Sequence, residues 1–288
     1  MSPKKKKRYP WILVVLVVLC CLGSCGLYYA GRPWPSDLRE ELAPGVIYYR
    51  RAQTVPYMMV AHIVSVDMSN PDLRLVVTPG DPNTDYPMVA ETTSDFLEEY
   101  GALVAINGDG FTPWYFNSPF DYYPHPGDPV RPNGLAASEG VQYSHGNGGP
   151  TLYISAENRV SFELVDDSVY NAISGDFMLV TGDAPVAGLD DSRLAPRTAV
   201  GYDAYDNRLI LVVIDGRQPF YSQGVTIADL ADLLLYYGAT EAMSMDGGGS
   251  STMVIRRASG PQVVNSPIEG YIPGRQRPVA NHLGVWLP

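Results

Sequence analysis

Apolar and polar positions along the chain predict a domain built mainly from short strands. Five apolar runs have strand length and are bounded by turn residues, and they span 57–66, 73–78, 152–154, 208–214 and 252–256. Between them the sequence distributes 28 Gly and 25 Pro, residues that end regular elements and form turns. The pattern therefore indicates many strands connected by turns.

Two segments carry the start and stop signals of helices. Thr92 precedes Asp95 by three residues, the spacing of an N-cap and the acid of a capping box, and Thr226 precedes Asp229 in the same way. Each segment ends at Tyr-Gly-Ala, where the glycine suits the left-handed position after the last helical turn. In the second segment apolar residues recur at helical spacing and predict a buried face, formed by Ile227, Leu230, Leu234 and Tyr237.

The first residues predict export. Basic residues from Lys4 to Arg8 precede an apolar run from Trp11 to Leu22, which continues more weakly to Ala30. Basic residues before an apolar segment stay in the cytoplasm, and a bilayer core takes ~20 residues. We therefore expect residues 1–30 to be a cytoplasmic stub and a transmembrane or signal-anchor helix that tethers an extracytoplasmic domain. The alternative is a lipoprotein, because the residues before Cys25 are similar to a bacterial lipid-attachment box.

Residues 31–55 are expected to form a linker and residues 56–288 a single domain. All three cysteines lie in the N-terminal segment, so disulfides cannot stabilise that domain. Without the five basic residues of the stub, 15 of the 20 Lys and Arg remain against 31 Asp and Glu, a net charge of −16. Nucleic acid is not an expected partner, since its binding needs a basic surface. Individual arginines still allow one phosphate group to bind. The sequence does not indicate the oligomeric state.

The most site-like stretch is 245–253, in which Asp246 is followed by three glycines and three hydroxyl residues. Each glycine costs about 0.5–1 kcal/mol of folding free energy relative to Ala, which favours a role in close backbone approach. Exposed N–H groups of such a loop can bind an anion. Because no Gly-Lys-Ser or Gly-Lys-Thr is present, ATP and GTP are not expected ligands. A glycine turn whose hydroxyls cap the next element is the alternative.

Three further segments place charged or amide groups beside apolar runs, at 107–110, 197–201 and 215–218. Pairs of carboxylates serve glycoside hydrolysis, and arginines pair with two oxygens of a phosphate. The alternative for each segment is an ordinary turn or surface cation. When residues 100–110 are laid over residues 237–247, Asp109 falls on Asp246. This match predicts two equivalent units that meet at one cleft, although a helix end before a buried strand can produce it by convergence.

The aromatic, proline-rich connection at 112–125 is long for a plain loop. It suggests either a lid that stacks on a sugar ring or a loop that packs on its own domain. No cofactor is expected: the four histidines lack a His-x-x-x-His pair and the domain lacks cysteine, which disfavours zinc. A structural calcium near Asp246 stays open, without the acid spacing of an EF-hand. Gly-x-Ser-x-Gly is missing, so a serine nucleophile is not expected.

Taken together and in order, these segments resemble the phosphodiester glycosidase family from about residue 60 to the end. The matching stretches are Ala105–Gly108, Pro132–Leu135, Arg197–Gly201, Asp215–Arg217 with Gly224–Thr226, Met245–Met253 and Arg277–Asn281. The chain departs from the family at Asp109-Gly110-Phe111, where Gly-Phe-Phe is common. The resemblance implies a single α+β catalytic domain with a mixed sheet. It also implies hydrolysis of a sugar-1-phosphodiester, such as an N-acetylglucosamine-1-phosphodiester, to free sugar and a phosphomonoester.

Under this resemblance we expect Asp246 and Asp215 to be the acid and the nucleophile or base, in an order left open, with Asp109 as a substitute for either. The expected substrate-binding residues are Arg197, Thr198, Arg217, Asn107, Gly247, Gly248, Gly249, Ser250, Ser251, Thr252, Arg277 and Asn281. Expected partners are a phosphate-linked sugar or an envelope glycopolymer, in exopolysaccharide or cell-envelope metabolism. Two alternatives remain: a non-catalytic module that binds envelope polysaccharide, and a metal-dependent phosphodiesterase that cleaves P–O.

Overall fold

The computed structural model describes residues 10–31, 33–146, 148–164 and 169–288. The chain divides into two compact units, Met1–Pro35 and Ser36–Pro288. The first contains helix α1, Pro10–Ala30. Within the described residues no helix combines the length and the apolar character needed to cross a membrane. The basic residues at 4–8 and the side chain of Cys25 lie outside the described part of the chain.

The second unit consists of short strands with two helices and two 3-10 helices among its described residues. The helices are α2 (Thr93–Glu99) and α3 (Ile227–Tyr236), and the 3-10 helices span Gly248–Ser250 and Glu269–Tyr271. The strands are β1 (Leu38–Ala43), β2 (Val46–Gln53), β3 (Met59–Asp67), β4 (Arg74–Val77), β5 (Met88–Val89), β6 (Val104–Asn107), β7 (Phe111–Thr112), β8 (Tyr115–Ser118), β9 (Asp121–Tyr123), β10 (Pro129–Pro132), β11 (Leu135–Ser138), β12 (Val141–His145), β13 (Thr151–Ile154), β14 (Val160–Ser161), β15 (Asn171–Ser174), β16 (Phe177–Thr181), β17 (Ala184–Pro185), β18 (Arg197–Asp203), β19 (Arg208–Ile214), β20 (Glu241–Ser244), β21 (Met253–Arg257), β22 (Gly260–Val263) and β23 (His282–Trp286).

The strands form several sheets. The largest has eight strands in the order β1-β2-β3-β19-β18-β20-β16-β17, and a five-stranded sheet has the order β22-β21-β6-β23-β4. A second five-stranded sheet (β12-β11-β15-β13-β14), a three-stranded sheet (β5-β10-β7) and the β8-β9 hairpin complete the set. The α+β class is confirmed. In place of one mixed sheet, the strand ladders of the described residues are all antiparallel. Neighbours such as β1 and β2, or β18 and β19, must be antiparallel because the turns that join them are too short for a parallel crossover.

The two large sheets pack face to face, with one helix on each outer side. The main core cluster joins residues of the eight-stranded sheet, such as Val64 and Val213, to residues of the five-stranded sheet, such as Ile106 and Leu283. A second cluster packs α3 on the other face of the eight-stranded sheet, and a third packs Phe96 of α2 on the other face of the five-stranded sheet. Both central sheets are therefore covered on both faces, which explains their continuously apolar strands.

Both predicted helices are present with the predicted caps. The hydroxyl oxygen of Thr92 accepts from the backbone N–H of Asp95, and Asp95 completes the capping box. Thr226 caps α3 in the same way through the N–H of Asp229. The glycines after the helices adopt left-handed φ angles of +61° and +96°, as predicted for this position.

All five predicted strands are present, but the predicted linker at 31–55 differs from the structure. From Leu38 onward it forms β1 and β2, and β2 pairs along its length with β3. Alternate side chains of β2, Val46 and Tyr48, are buried in the main core, and the side chains next to them are partly buried. The compact unit begins at Ser36. The sequence signal for β2 is weak because its apolar alternation is short and is interrupted by polar residues.

Candidate active site

A polar cleft of about 420 Å³ opens where the ends of β18 and β20 meet the loop after β6. It brings together several predicted residues from distant parts of the chain. Its lining consists of Gly110, Phe111, Trp114, Asn133, Asp176, Arg193, Ala195, Arg197, Arg217, Asp246, Gly247, Gly248, Gly249 and Arg277. Four arginines and two aspartates face one space, which suits an anionic substrate.

Asn107, at the end of β6, ties the two glycine loops together beneath the cleft. Its Nδ2 donates to the backbone oxygen of Asp246 at 2.7 Å, and its Oδ1 accepts from Thr198 Oγ1 at 2.8 Å and from Thr252 N at 3.1 Å. The backbone N–H of Asp246 donates to Gly108 O at 3.1 Å. Asn107 and Thr198 are fully buried. They therefore build the frame of the site, where contact with substrate was predicted.

Asn281 has a similar supporting position. Its Oδ1 accepts from the backbone N–H of Asp109 at 2.8 Å, and its backbone oxygen accepts from the N–H of Gly108 at 2.8 Å. It is fully buried and does not line the cleft. Asn281 thus fixes the loop after β6, a different role from the predicted contact with sugar hydroxyls.

Asp246 lies at the cleft, where Ser250 and Arg277 order its carboxylate. Ser250 donates its hydroxyl hydrogen to Oδ2 of Asp246, and Arg277 Nη1 donates to Ser250 Oγ at 3.0 Å. Burial raises the pKa of Asp246, while the hydrogen bonds from Ser250 and from the Gly247 N–H and the charge of Arg277 lower it. The carboxylate is therefore held in a fixed orientation with a raised pKa.

The glycine run is explained by close contacts. A Cβ at position 249 would lie 2.3 Å from Oε2 of Glu269 and 2.5 Å from Nη2 of Arg277, and Gly248 has a left-handed φ of +64°. Part of the run lies in the 3-10 helix Gly248–Ser250. The hydroxyls that the alternative assigns to capping the next element do not cap it: Ser250 donates to Asp246, and in the described part of the chain the hydroxyls of Ser251 and Thr252 have no hydrogen-bond partner. Ser251 and Thr252 are buried behind the loop and do not line the cleft.

A second carboxylate in the cleft, Asp176, was missed by sequence reasoning. It follows β15 after Gly175, at which a Cβ would lie 2.2 Å from the backbone oxygen of Ser244. Burial raises the pKa of Asp176 to about 6, with a further increase from the charge of Asp246 and a decrease from Arg197. The available signal was the Gly-Asp pair directly after a four-residue strand, a pattern shared with Gly108-Asp109 after β6.

Asp109 lies one residue away from the cleft lining and is 3% exposed. Its Oδ2 accepts from the backbone N–H of Gly134. Burial raises its pKa to about 7; the bond from Gly134 lowers it, and the charges of Asp176 and Asp246 raise it further. The loops of Asp109 and Asp246 thus meet at one site, as the match between residues 100–110 and residues 237–247 predicted.

Asp215 does not reach the cleft, in contrast to its predicted catalytic position. Its Oδ2 lies 3.1 Å from His62 Nε2 and accepts from Tyr221 OH at 3.0 Å. Its Oδ1 accepts from Ser266 N at 2.6 Å and from Asn265 Nδ2 at 3.2 Å. Both oxygens of the carboxylate therefore have hydrogen-bond partners, and the residue is only 1% exposed. Asp215 anchors the turn that presents a polar side chain two residues later in the same segment.

That side chain is Arg217, which lines the cleft from a left-handed backbone position with φ of +57°. Arg197 and Arg193 line the same cleft, and within the described part of the chain no carboxylate lies within 4.0 Å of these three guanidinium groups. Burial lowers the pKa of Arg197 and of Arg217, and the charge of Arg193 lowers both further. These three guanidinium groups are therefore not engaged in close ion pairs with described residues. Arg193 lies in an exposed turn with no pattern that marks it, and sequence reasoning missed it.

The fourth arginine, Arg277, is compensated. Its Nε donates to Glu269 Oε2 at 2.6 Å, and its guanidinium lies 4.6 Å from the ring centre of Trp114. Trp114 belongs to the aromatic connection, which otherwise packs on its own domain: Phe116 contacts Gly270, and Tyr122 lies under Arg275 at 4.5 Å. The connection thus forms the β8-β9 hairpin and contributes one indole to the cleft.

Among the described residues no group of three or more His, Cys, Asp and Glu side chains is arranged to hold a metal ion. The aspartates of the cleft do not form such a group. Their neighbours in the lining are arginines, which suit an anion rather than a cation.

One protein family matches most of the chain: the model described as phosphodiester glycosidase matches residues 100–286. No curated protein matches the sequence. Three solved structures share the fold at low sequence identity. A hypothetical protein from Synechocystis has a TM-score of 0.59 and 14% identity over 88% of this chain, and this chain covers 64% of its length, which is less than two thirds.

This chain covers a larger share of the other two structures. The zebrafish N-acetylglucosamine-1-phosphodiester alpha-N-acetylglucosaminidase catalytic domain, auto-inhibited by its pro-peptide, has a TM-score of 0.58 and 19% identity over 90% of this chain and 86% of that chain. A protein from Burkholderia pseudomallei K96243 has a TM-score of 0.57 and 17% identity over 80% of this chain and 74% of that chain. At these identities the structures establish a shared fold.

Proposed function

This chain belongs to the phosphodiester glycosidase family, a family of hydrolases, and we propose that it hydrolyses an N-acetylglucosamine-1-phosphodiester or a closely similar sugar-1-phosphodiester. One observation carries the proposal: two carboxylates, Asp246 and Asp176, face the same cleft as two arginines, Arg197 and Arg217, that form no ion pair within 4.0 Å in the described part of the chain. Carboxylates act on a glycosidic carbon, and guanidinium groups bind a phosphate. The cleft supplies both.

In the proposed reaction water attacks the anomeric carbon and the bond from that carbon to the phosphate oxygen breaks. The oxygen of water becomes the hydroxyl of the free sugar, and the bridging oxygen stays with the phosphate. One proton of water goes to the sugar hydroxyl and the other is released to a carboxylate or to the phosphomonoester. Arg197 and Arg217 stabilise the negative charge that develops on the departing phosphate, so this leaving group needs little protonation.

Asp246 and Asp176 supply the carboxylate pair of glycoside hydrolysis, in which one group donates a proton and the other is the nucleophile or base. The order of these two roles stays open. Ser250 and Arg277 hold Asp246 in orientation. We assign Asp215 to positioning the Arg217 turn, in place of its predicted catalytic role.

The proposal includes an extracytoplasmic location, with tethering through α1 and its preceding basic residues, and an envelope or exopolysaccharide glycopolymer as the natural substrate. Support comes from the sequence pattern of the first 30 residues. Lipid attachment at Cys25 is the alternative. A Cys25→Ser variant distinguishes them: a helix anchor keeps the full-length chain in the membrane fraction, whereas a lipoprotein would lose its lipid and its membrane association.

The test of the activity is release of N-acetylglucosamine by the full-length chain from UDP-N-acetylglucosamine and from the methyl diester of N-acetylglucosamine-1-phosphate. The isosteric Asp246→Asn variant, with an unchanged melting temperature, is expected to lose about 100-fold or more of the rate. In oxygen-18 water the label should enter the sugar. Label in the phosphate would indicate P–O cleavage by a phosphodiesterase, and binding of the diester by a folded chain without turnover would indicate a binding module.

A further inference from the structure

Three arginines of the cleft, Arg193, Arg197 and Arg217, have no carboxylate within 4.0 Å among the described residues. Arginines elsewhere in the described part of the domain are of both kinds: Arg208 is paired with Asp203, whereas Arg131 is in no ion pair. The cleft arginines differ because all three line one concave space. Their convergence favours an anionic ligand.

The arginines of the cleft can be assigned one by one. Arg277 is paired with Glu269, and in the proposed reaction Arg197 and Arg217 hold the scissile phosphate. Arg193 lines the same cleft and has no assigned ligand. A second anionic group on the substrate would pair with it.

Position separates Arg193 from the other two arginines. Arg197 and Arg217 are half-buried, whereas Arg193 is exposed at the rim of the cleft. The Arg193 backbone oxygen accepts from Arg197 Nη2 at 3.3 Å, which fixes the two residues as neighbours. The adjacent acid, Asp190, accepts from Ser192 and forms no ion pair with Arg193 within 4.0 Å. The Arg193 guanidinium is therefore available to a ligand at the rim.

We infer, on the basis of the proposed function, that Arg193 binds a second anionic group attached to the aglycone side of the scissile phosphodiester. The substrate class is thus a sugar-1-phosphodiester with a further phosphate nearby. A sugar diphosphate ester and a polymer of phosphate-linked sugars both have this chemistry. Arg197 and Arg217 hold the scissile phosphate inside the cleft, and Arg193 selects for the additional charge outside it.

The kinetic test compares UDP-N-acetylglucosamine, which has two phosphates, with the methyl diester of N-acetylglucosamine-1-phosphate, which has one. In the full-length chain Arg193→Gln should lower kcat/KM for the two-phosphate substrate by about tenfold more than for the one-phosphate substrate, mainly through KM. Because Arg193 is exposed, the difference should shrink as salt concentration rises. Arg159→Gln removes an equal charge from a different exposed surface and should leave the ratio unchanged. A methylated sugar-phosphate-sugar-phosphate fragment in place of the nucleotide distinguishes the polymer from the diphosphate.

A binding test separates this inference from the proposed function. Inorganic pyrophosphate and inorganic phosphate are titrated calorimetrically into the full-length chain and into Arg193→Gln. The inference predicts tighter binding of pyrophosphate and a selective loss of that preference in the variant. An equal effect of Arg193→Gln on both anions, or none on either, overturns it. Arg193-dependent pyrophosphate binding without turnover of any diester would instead overturn the proposed hydrolysis.

Discussion

The guanidinium of Arg277 and the carboxylate of Glu269 form an ion pair of 2.6 Å in which the two side chains are 12% and 3% exposed. The same guanidinium donates to Ser250, which in turn donates to Asp246. The carboxylate of Glu269, which does not line the cleft, is thereby connected through Arg277 and Ser250 to Asp246, the carboxylate proposed to act on the sugar. The charge of Arg277 lowers the pKa of Asp246, and the charge of Glu269 raises it.

Glu269→Gln is expected to destabilise the protein by about 3 kcal/mol, since removal of one partner leaves a nearly buried charge without compensation. The variant should also lower the pKa of Asp246. That pKa is raised mainly by burial, and the charge of Glu269 adds to the increase. The limb of the pH–rate profile that reports Asp246 should therefore move to lower pH: this is the acid limb if Asp246 acts ionised, and the alkaline limb if it donates the proton. Urea unfolding and a pH–rate profile measure the two effects.

The control for this variant is Glu40→Gln, which breaks the more exposed Glu40–Arg257 pair away from the cleft. It is expected to cost about 1 kcal/mol or less and to leave the pH–rate profile in place. A profile that does not move in Glu269→Gln would show that Arg277 and Ser250 do not transmit this charge to Asp246.

Gly249→Ala should reduce stability and activity through the volume of the added Cβ alone. The added Cβ would overlap the contact between Glu269 and Arg277. We expect a loss of about 1–3 kcal/mol in unfolding free energy together with a clear drop in kcat/KM. Gly188→Ala is a matched control: its Cβ meets open space and its φ of +81° adds only backbone strain. Equal activity losses in the two variants would argue against the steric explanation.

The elements that the sequence predicts well are those in which several residues carry the same signal. In α3 the cap at Thr226 agrees with the apolar spacing of Ile227, Leu230 and Leu234, and all of these signals are present in the structure. The glycine run after Asp246 is similar, because three adjacent residues without side chains are costly unless a close contact requires them. Where several neighbouring residues carry the same signal, the local sequence is sufficient to predict the element.

Single residues were less predictable. Asp215 and Asp246 both follow buried strands and precede glycine, so their local sequences are alike. What separates them is tertiary: Asp215 meets His62 and Ser266 from distant segments, whereas Asp246 faces the cleft. The sheet register that decides which carboxylate is enclosed comes from strands far apart in the chain. Asp176 was missed for the same reason, since one Gly-Asp pair does not indicate the space into which it opens.

Asp215→Asn tests the assignment of that residue to a positioning role. The amide cannot accept all four hydrogen bonds that the carboxylate accepts, so we expect a loss of about 3 kcal/mol in unfolding free energy. Because the Arg217 turn loses its anchor, KM should rise more than kcat falls. Steady-state kinetics at a temperature where the variant is folded check this split. If Asp215→Asn retains wild-type stability and loses as much kcat as Asp246→Asn, then Asp215 is the catalytic residue that the sequence suggested.

Asp109 predicts how stability depends on pH. Burial, as the largest cause, raises its pKa from 3.8 to about 7. Between about pH 4 and pH 7 the native state therefore holds a proton that the unfolded state has released, and wild-type stability falls as pH rises through this window. Asp109→Asn cannot titrate there, and its side-chain oxygen can still accept from Gly134. The unfolding free energy of the variant relative to that of wild type should therefore increase by about 2–3 kcal/mol as pH rises from 5 to 8.

Urea unfolding at several pH values measures this gain, and the other aspartates with raised pKa cancel because both proteins contain them. Asp81→Asn is the control: hydrogen bonds from Asn83 lower the pKa of the exposed Asp81, so its titration lies below the window. The stability difference between Asp81→Asn and wild type should be constant from pH 5 to pH 8. A constant difference for Asp109→Asn as well would mean that Asp109 stays ionised throughout. In that case Gly134 and the neighbouring backbone would outweigh burial, and Asp109 could not hold a proton for the reaction at neutral pH.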